Sequence, residues 1–137
     1  MSRSKPLWNA DEQKARLSEL TARSDDSAKD RSLRRDVRSL GALLGRVLVE
    51  QAGKELFAAV EELRRLMIQH RERGRGGNSA DELMARAEAT ISKMDLTRAY
   101  QVTKAFAIYF ELTNLAETNH RKRRRRARQL EQHRATL

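Results

Sequence analysis

The stretch from Asp95 to Arg128 constrains the fold more than any other, because it contains no Gly or Pro. Its apolar residues recur every three or four positions up to Leu115, and residues 105–110 are apolar on every side of a helix. This pattern predicts one long helix, capped by Asp95 and buried along its first part. From Arg121 the same helix becomes cationic, so its end must lie in water or contact an anionic partner.

Three shorter helices are predicted before this one. The first begins after Asp30, which fits an N-cap, and Gly53 ends it as a C-cap glycine does. A second amphipathic helix follows Gly53, and Ser79 opens a capping box for a third. Gly41 and Gly45, one turn apart on the first helix, could let another helix approach closely, although simple tolerance of glycine is the favoured interpretation. The sequence therefore predicts an all-α fold, an up-and-down cluster of about four helices.

The composition predicts three segments of different character. Residues 1–29 are polar and weakly patterned, which predicts a flexible leader with a helical turn or two within residues 11–23. Residues 30–128 form the predicted helical domain, and residues 129–137 a polar tail. Within the domain, the glycine-rich residues 74–78 are predicted to be a flexible linker, because the order of the glycines does not fit a phosphate-binding loop.

The charge of the chain is concentrated at one end. The formal net charge is +10, and residues 121–137 contain eight Arg or Lys against one acidic residue, Glu131. The absence of cysteine excludes disulfides and thiolate metal sites. No apolar targeting segment and no run of about 18 uncharged residues is present, so we expect a soluble, cytoplasmic chain with no membrane contact.

A search for catalytic chemistry in the sequence finds no candidate. His70, His120 and His133 have no second ligand at metal-binding spacing, and they are expected to be solvated histidines on the surface. The acidic neighbours Glu61 and Glu62 diverge on a helix, and no nucleophile motif is present. We therefore predict no catalytic, no cofactor-binding and no metal-binding residues in this chain.

The arginine block is the one candidate for a contact with an anion or a protein partner. It contains Arg121, Lys122, Arg123, Arg124, Arg125, Arg126 and Arg128. One interpretation is a helix that binds nucleic acid through phosphates, although no aromatic residue is interleaved for base stacking. The other is a helix end that lies in water or faces acidic groups. Attachment to an anionic membrane is disfavoured, because the cationic stretch has no apolar face of its own.

Two regions of the sequence carry a resemblance to a known family. Residues 33–48 read LRRDVRSLGALLGRVL and are followed by EQAG and LFAAVEELR, while residues 105–117 read AFAIYFELTNLAE ahead of the arginine block. Together they resemble the N-terminal helical region of bacterial phosphoenolpyruvate carboxylase. Lys104 stands where that pattern often has Arg, and Thr118 and Asn119 also depart from it.

The resemblance implies the N-terminal portion of a large, mostly α-helical enzyme, typically a homotetramer. That enzyme uses Mg or Mn to join phosphoenolpyruvate and bicarbonate into oxaloacetate and phosphate, which feeds the tricarboxylic acid cycle. The family's catalytic histidine, glycine-rich loop and metal ligands are not found here, so we expect this chain to be scaffold and inactive by itself. Its partners would be the remainder of the carboxylase. The alternative is a free-standing helical protein that binds nucleic acid through residues 121–128.

The scaffold interpretation also predicts which side chains pack. The predicted packing positions are Leu40, Leu44, Val47, Leu63, Phe106, Phe110 and Leu115. Three helices of this size cover a helix that is apolar all round only poorly. We therefore expect the isolated chain to be marginally stable or self-associating, with Phe106, Ile108, Tyr109 and Phe110 exposed as a patch.

Overall fold

The computed structural model describes residues 12–21, 29–73 and 78–136, and its regular elements are all helices. They are α1 (Gln13–Thr21), α2 (Arg31–Ala52), α3 (Lys54–Arg73), α4 (Asn78–Ser92) and α5 (Leu96–Ala135). The predicted all-α class is confirmed, and α1 lies where a helical turn or two is predicted within residues 11–23 of the leader. Helix α5 continues to Ala135 through the predicted polar tail. Of the predicted linker at 74–78, residues 74–77 lie outside the described residues, and Asn78 is the first residue of α4.

The helix ends follow from a few local hydrogen bonds. Gly53 has a φ of 88°, which favours glycine, and its N–H donates to the carbonyl of Val49 at 3.1 Å, so the predicted C-cap is confirmed. The N–H of Arg98 donates to Asp95 Oδ1 at 2.7 Å, which confirms Asp95 as the cap of α5. Helix α4 begins one residue before Ser79, whose side chain lies outside the described part of the chain.

Contacts divide the chain into two compact units, and the unit Leu43–Phe110 contains the apolar core. Helix α3 packs against α4 and supplies one face of the core through residues spaced at three and four positions. The buried core side chains are Leu56, Val60, Leu63 and Leu66 of α3, Leu83 and Ala87 of α4, and Val102 and Ala105 of α5. Leu56, at 1% exposure, is the largest fully buried side chain among the described residues.

Gly45 makes a close contact in the same unit. It is buried, and a Cβ at this position would lie 2.8 Å from Cε2 of Phe57. The interpretation of Gly45 as simple tolerance is therefore wrong, because a larger residue would force the Phe57 ring to move. The glycine lets α2 and the first turns of α3 pack closely despite its lower helix propensity.

The predicted packing positions differ widely in burial. Leu63 is buried, Phe106 packs against the core, Leu40 and Leu44 are half-buried, and Val47, Phe110 and Leu115 are exposed. Periodicity identified residues that share a helix face, but it could not show whether that face has a partner within the chain.

An exposed row of apolar side chains, the apolar stripe, runs along the part of α5 that belongs to this unit. It consists of Leu96, Tyr100, Ala107 and Phe110, which share one helix face. Leu96 and Phe110 are 87% and 59% exposed. The predicted exposed patch is thus correct for Phe110 and wrong for Phe106, Ile108 and Tyr109, which are half-buried. The Phe110 ring contacts those of Phe106 and Tyr109, with centroids 6.4 and 6.1 Å apart.

The second unit combines the described residues up to Ala42 with residues from Glu111 onward. Helix α1 has no buried residue, and its Glu19 accepts a hydrogen bond from Arg35 of α2 at 2.8 Å. The division into leader, domain and tail stays a prediction.

Candidate anion-contact site on the last helix

The arginine block lies wholly on α5, and its side chains point to different sides of that helix. Arg121, Arg124, Arg125, Arg128, Gln129 and Gln132 line one open concave surface, which we call the outer face. Their spacing of three and four residues places them on one side of the helix. Lys122 and Arg126 are exposed beside the outer face, whereas Arg123 is half-buried. The predicted anion contact by these cations stays a prediction.

The opposite side of α5 is a buried stripe of mixed chemistry. It consists of Ala116, His120, Arg123 and Ala127, at i, i+4, i+7 and i+11. Nη2 of Arg123 lies 2.6 Å from Oδ2 of Asp36, and the two side chains are only 32% and 21% exposed. Arg123 is therefore neutralised within its own unit, which separates it from the other cations of the block. Asp36 was not predicted as its partner, because pairing between residues so far apart in sequence leaves no local signal.

His120 occupies the centre of the buried stripe. It is 3% exposed, so the expectation of a solvated surface histidine is wrong for this residue, while His133 is exposed as expected. Arg123 Nη2 lies 3.4 Å from His120 Nδ1. Because a guanidinium only donates hydrogen bonds, Nδ1 must be the acceptor and Nε2 must carry the proton of a neutral ring. Nε2 is buried, has no hydrogen-bond partner among the described residues, and lies 3.6 Å from Oδ1 of Asp30.

The surroundings of His120 lower its pKa below the usual value of 6.5. Burial is the largest cause, followed by repulsion from Arg123 and Arg124, and the nearby Asp30 only partly compensates. The geometry agrees with this direction, since protonation of Nδ1 would remove the contact with Arg123 and place two cations together.

The lowered pKa of His120 predicts a loss of stability in mild acid. Between its folded pKa and 6.5, the unfolded chain binds a proton that the folded chain does not, so the free energy of unfolding falls as the pH decreases below about 6.5. Urea unfolding between pH 7.5 and 5.5 is expected to show this fall, and His120→Gln should remove it. His133→Gln, at an exposed site, should leave the fall intact. Parallel pH curves for the native chain and His120→Gln would contradict the assignment.

The described residues do not fit a divalent cation. No group of three or more His, Cys, Asp or Glu side chains in residues 12–21, 29–73 and 78–136 is placed to hold a metal ion. The Mg or Mn that the family resemblance implies therefore has no ligand set in this part of the chain. Among the described helices, none combines the length and the apolar character needed to cross a bilayer.

Comparison with known proteins agrees on one family. The sequence profile described as "Phosphoenolpyruvate carboxylase" matches residues 33–137. Curated relatives with this same name come from Ralstonia nicotianae, 38% identical over 104 residues, and from Azorhizobium caulinodans, 39% identical over 102 residues. These alignments cover 76% and 72% of the chain, but it spans only 10% of the length of each relative. No solved structure shows a significant match.

Proposed function

Because the chain belongs to the phosphoenolpyruvate carboxylase family, we propose that it is the N-terminal helical segment of such an enzyme and acts as scaffold. The intact enzyme would form oxaloacetate and phosphate from phosphoenolpyruvate and bicarbonate, as a cytoplasmic homo-oligomer. Its catalytic groups and its Mg or Mn would be held outside the residues described here. The role of this segment would be to pack against the remainder of the enzyme.

The observation that carries the proposal is the exposed apolar stripe of α5. Tyr100 and Phe110 are large, and each leaves more than half of its surface in water. Covering the exposed part of such side chains stabilises an assembly by about 1–2 kcal/mol each, so a row of exposed apolar side chains, here interrupted only by Thr103, is typical of an interface. The chain spans about one tenth of the length of its curated relatives. We therefore assign the stripe to contact with the part of the carboxylase that this chain does not span.

A chimeric enzyme tests the proposal. In the Ralstonia nicotianae carboxylase, the region that aligns with this chain is replaced by residues 33–137. Oxaloacetate formation by the chimera is expected to stay within about tenfold of the parent, since about tenfold corresponds to a barrier change of only about 1.4 kcal/mol. The isolated chain is expected to form no oxaloacetate. A chimera with the oligomeric size of the parent but no activity would contradict the scaffold role.

Phe110→Asp tests the stripe itself. In the isolated chain the change should lower the free energy of unfolding by only about 0.5–1.5 kcal/mol, because Phe110 is 59% exposed and loses only its ring contacts with Phe106 and Tyr109. In the chimera, the same change should reduce activity and assembly, because it places a charge in an apolar interface. The matched control is Leu130→Asp, which is 56% exposed on another side of α5 and should leave the chimera active. Equal losses from both variants would refute the role of the stripe.

A further inference from the structure

We propose that the outer face of α5 binds the phosphodiester backbone of a nucleic acid without reading its base sequence. This inference concerns a second activity and does not depend on the scaffold role. It rests on the arrangement of four guanidinium groups and two amides on one side of the helix end.

The spacing of the outer face suits a polymer of phosphates. The four arginines of the outer face are separated along the chain by three, one and three positions: Arg121, Arg124, Arg125 and Arg128. Their guanidinium groups therefore form one cluster along two helical turns. Gln129 and Gln132 extend the same side with amide donors. Each guanidinium can donate two parallel hydrogen bonds to one phosphate, which a lysine cannot do. The outer face therefore presents several phosphate-binding groups in a row.

The clustered positive charges at this end of α5 destabilise the helix that carries them. Like charges at i and i+4, such as Arg121 with Arg125 and Arg124 with Arg128, each destabilise a helix by about 0.2–0.5 kcal/mol. No acidic residue occurs between Glu117 and Glu131 to offset this repulsion within the helix. Among the cations of the block, Arg123 is held away from the outer face by Asp36. A local conflict of this kind is expected where residues serve binding rather than stability, and a bound polyanion would remove it.

Nucleic acid fits the outer face better than a protein or a membrane does. Interfaces with nucleic acid are much more positively charged than interfaces between proteins, and the four clustered guanidinium groups of the outer face match that character. Membrane-bound helices need an apolar side next to the cations, and the six residues of the outer face include no apolar side chain. The block contains no aromatic residue to stack on bases, so contact through phosphates would be indifferent to sequence.

The test measures binding of the full 137-residue chain to a labelled 20-base-pair DNA duplex and to a 20-nucleotide single strand. At 50 mM salt, a dissociation constant of about 10⁻⁴ M or tighter is expected, equal for two unrelated sequences. If the four arginines neutralise four phosphates, the logarithm of the affinity should fall against the logarithm of salt with a slope of about −3.6 for the duplex. Tripolyphosphate and vesicles of anionic phospholipid serve as the other anion probes.

Two variants with the same net charge separate the outer face from general basicity. The first replaces Arg121, Arg124, Arg125 and Arg128 by Gln, and should lose at least about tenfold in affinity together with most of the salt dependence. The control replaces four exposed arginines of the other helices by Gln: Arg46, Arg65, Arg71 and Arg86. It should retain the affinity within about threefold. Circular dichroism should show unchanged or increased helix content in the first variant, since like-charge pairs are removed.

Several results would overturn the proposal. One is a dissociation constant above about 10⁻³ M for both nucleic acids at 50 mM salt. Another is an equal loss of affinity in the two Arg-to-Gln variants. If the chain bound the anionic vesicles more tightly than either nucleic acid, its partner would be a membrane and not a nucleic acid. A further result would be that tripolyphosphate displaces the duplex when both are present at the same concentration of phosphate groups. That result would show that the outer face is a site for small phosphates and not for a nucleic acid. Failure of the chimeric carboxylase would leave the proposal unaffected, and success would not support it.

Discussion

Leu56→Ala is expected to lower the free energy of unfolding by about 2–5 kcal/mol, the usual range for truncating a fully buried leucine. Leu56 is 1% exposed at the centre of the α3, α4 and α5 core. Its truncation removes buried methyl groups and leaves a cavity that the surrounding helices can only partly fill. Because a domain of this size is stabilised by only about 5–15 kcal/mol in total, the loss is a large fraction of the free energy of unfolding.

The measurement is urea unfolding of the 137-residue chain, followed by circular dichroism at 222 nm. Leu96→Ala is the matched control, since it makes the same chemical change at a side chain that is 87% exposed. The control should alter the free energy of unfolding by less than about 0.5 kcal/mol. Similar effects of the two variants would show that the α3, α4 and α5 core does not determine the stability of the chain.

Most of the fold was predictable, because the helix signals are local. Gly53 and Asp95 act at the predicted boundaries through backbone conformation and capping, which depend on residues within one turn. Partner-dependent features were not predictable. The sequence around Gly45 does not distinguish a required glycine from a tolerated one, because the Phe57 ring that lies against it comes from another helix. The exposure of Phe110 likewise depends on the presence of a covering element, and helical periodicity carries no information about that.

The candidate site was predicted only in its composition. The sequence identified the seven cations, but the helical turn of 100° per residue then assigns them to different environments. Arg123 falls on the same side as His120 and meets Asp36, whereas Arg121 and Arg125 fall on the outer face. The burial of His120 was missed because polar residues precede it and the arginine block follows it in sequence, and such neighbours usually indicate a solvated segment.

The pair of Asp36 and Arg123 gives the second large effect. Asp36→Ala is expected to lower the free energy of unfolding by about 1–3 kcal/mol, because a mostly buried guanidinium loses its carboxylate. Within the described part of the chain, Nε of Arg123 is buried and has no hydrogen-bond partner, so the Asp36 carboxylate is the main group that compensates the buried guanidinium. The exposed pair of Arg98 and Glu55, in which the Glu side chain is 89% exposed, provides the control. Glu55→Ala should cost no more than about 0.5 kcal/mol.

A double-mutant cycle separates the pair from its surroundings. Arg123→Met removes the charge but keeps most of the buried chain, so Asp36→Ala with Arg123→Met should recover much of the stability lost in Asp36→Ala alone. The coupling energy should be about 0.5–3 kcal/mol for Asp36 with Arg123 and near zero for Glu55 with Arg98. Additive losses from Asp36→Ala and Arg123→Met would mean that the 2.6 Å contact contributes nothing. In that case Arg123 would be as available for an external anion as the exposed cations beside it.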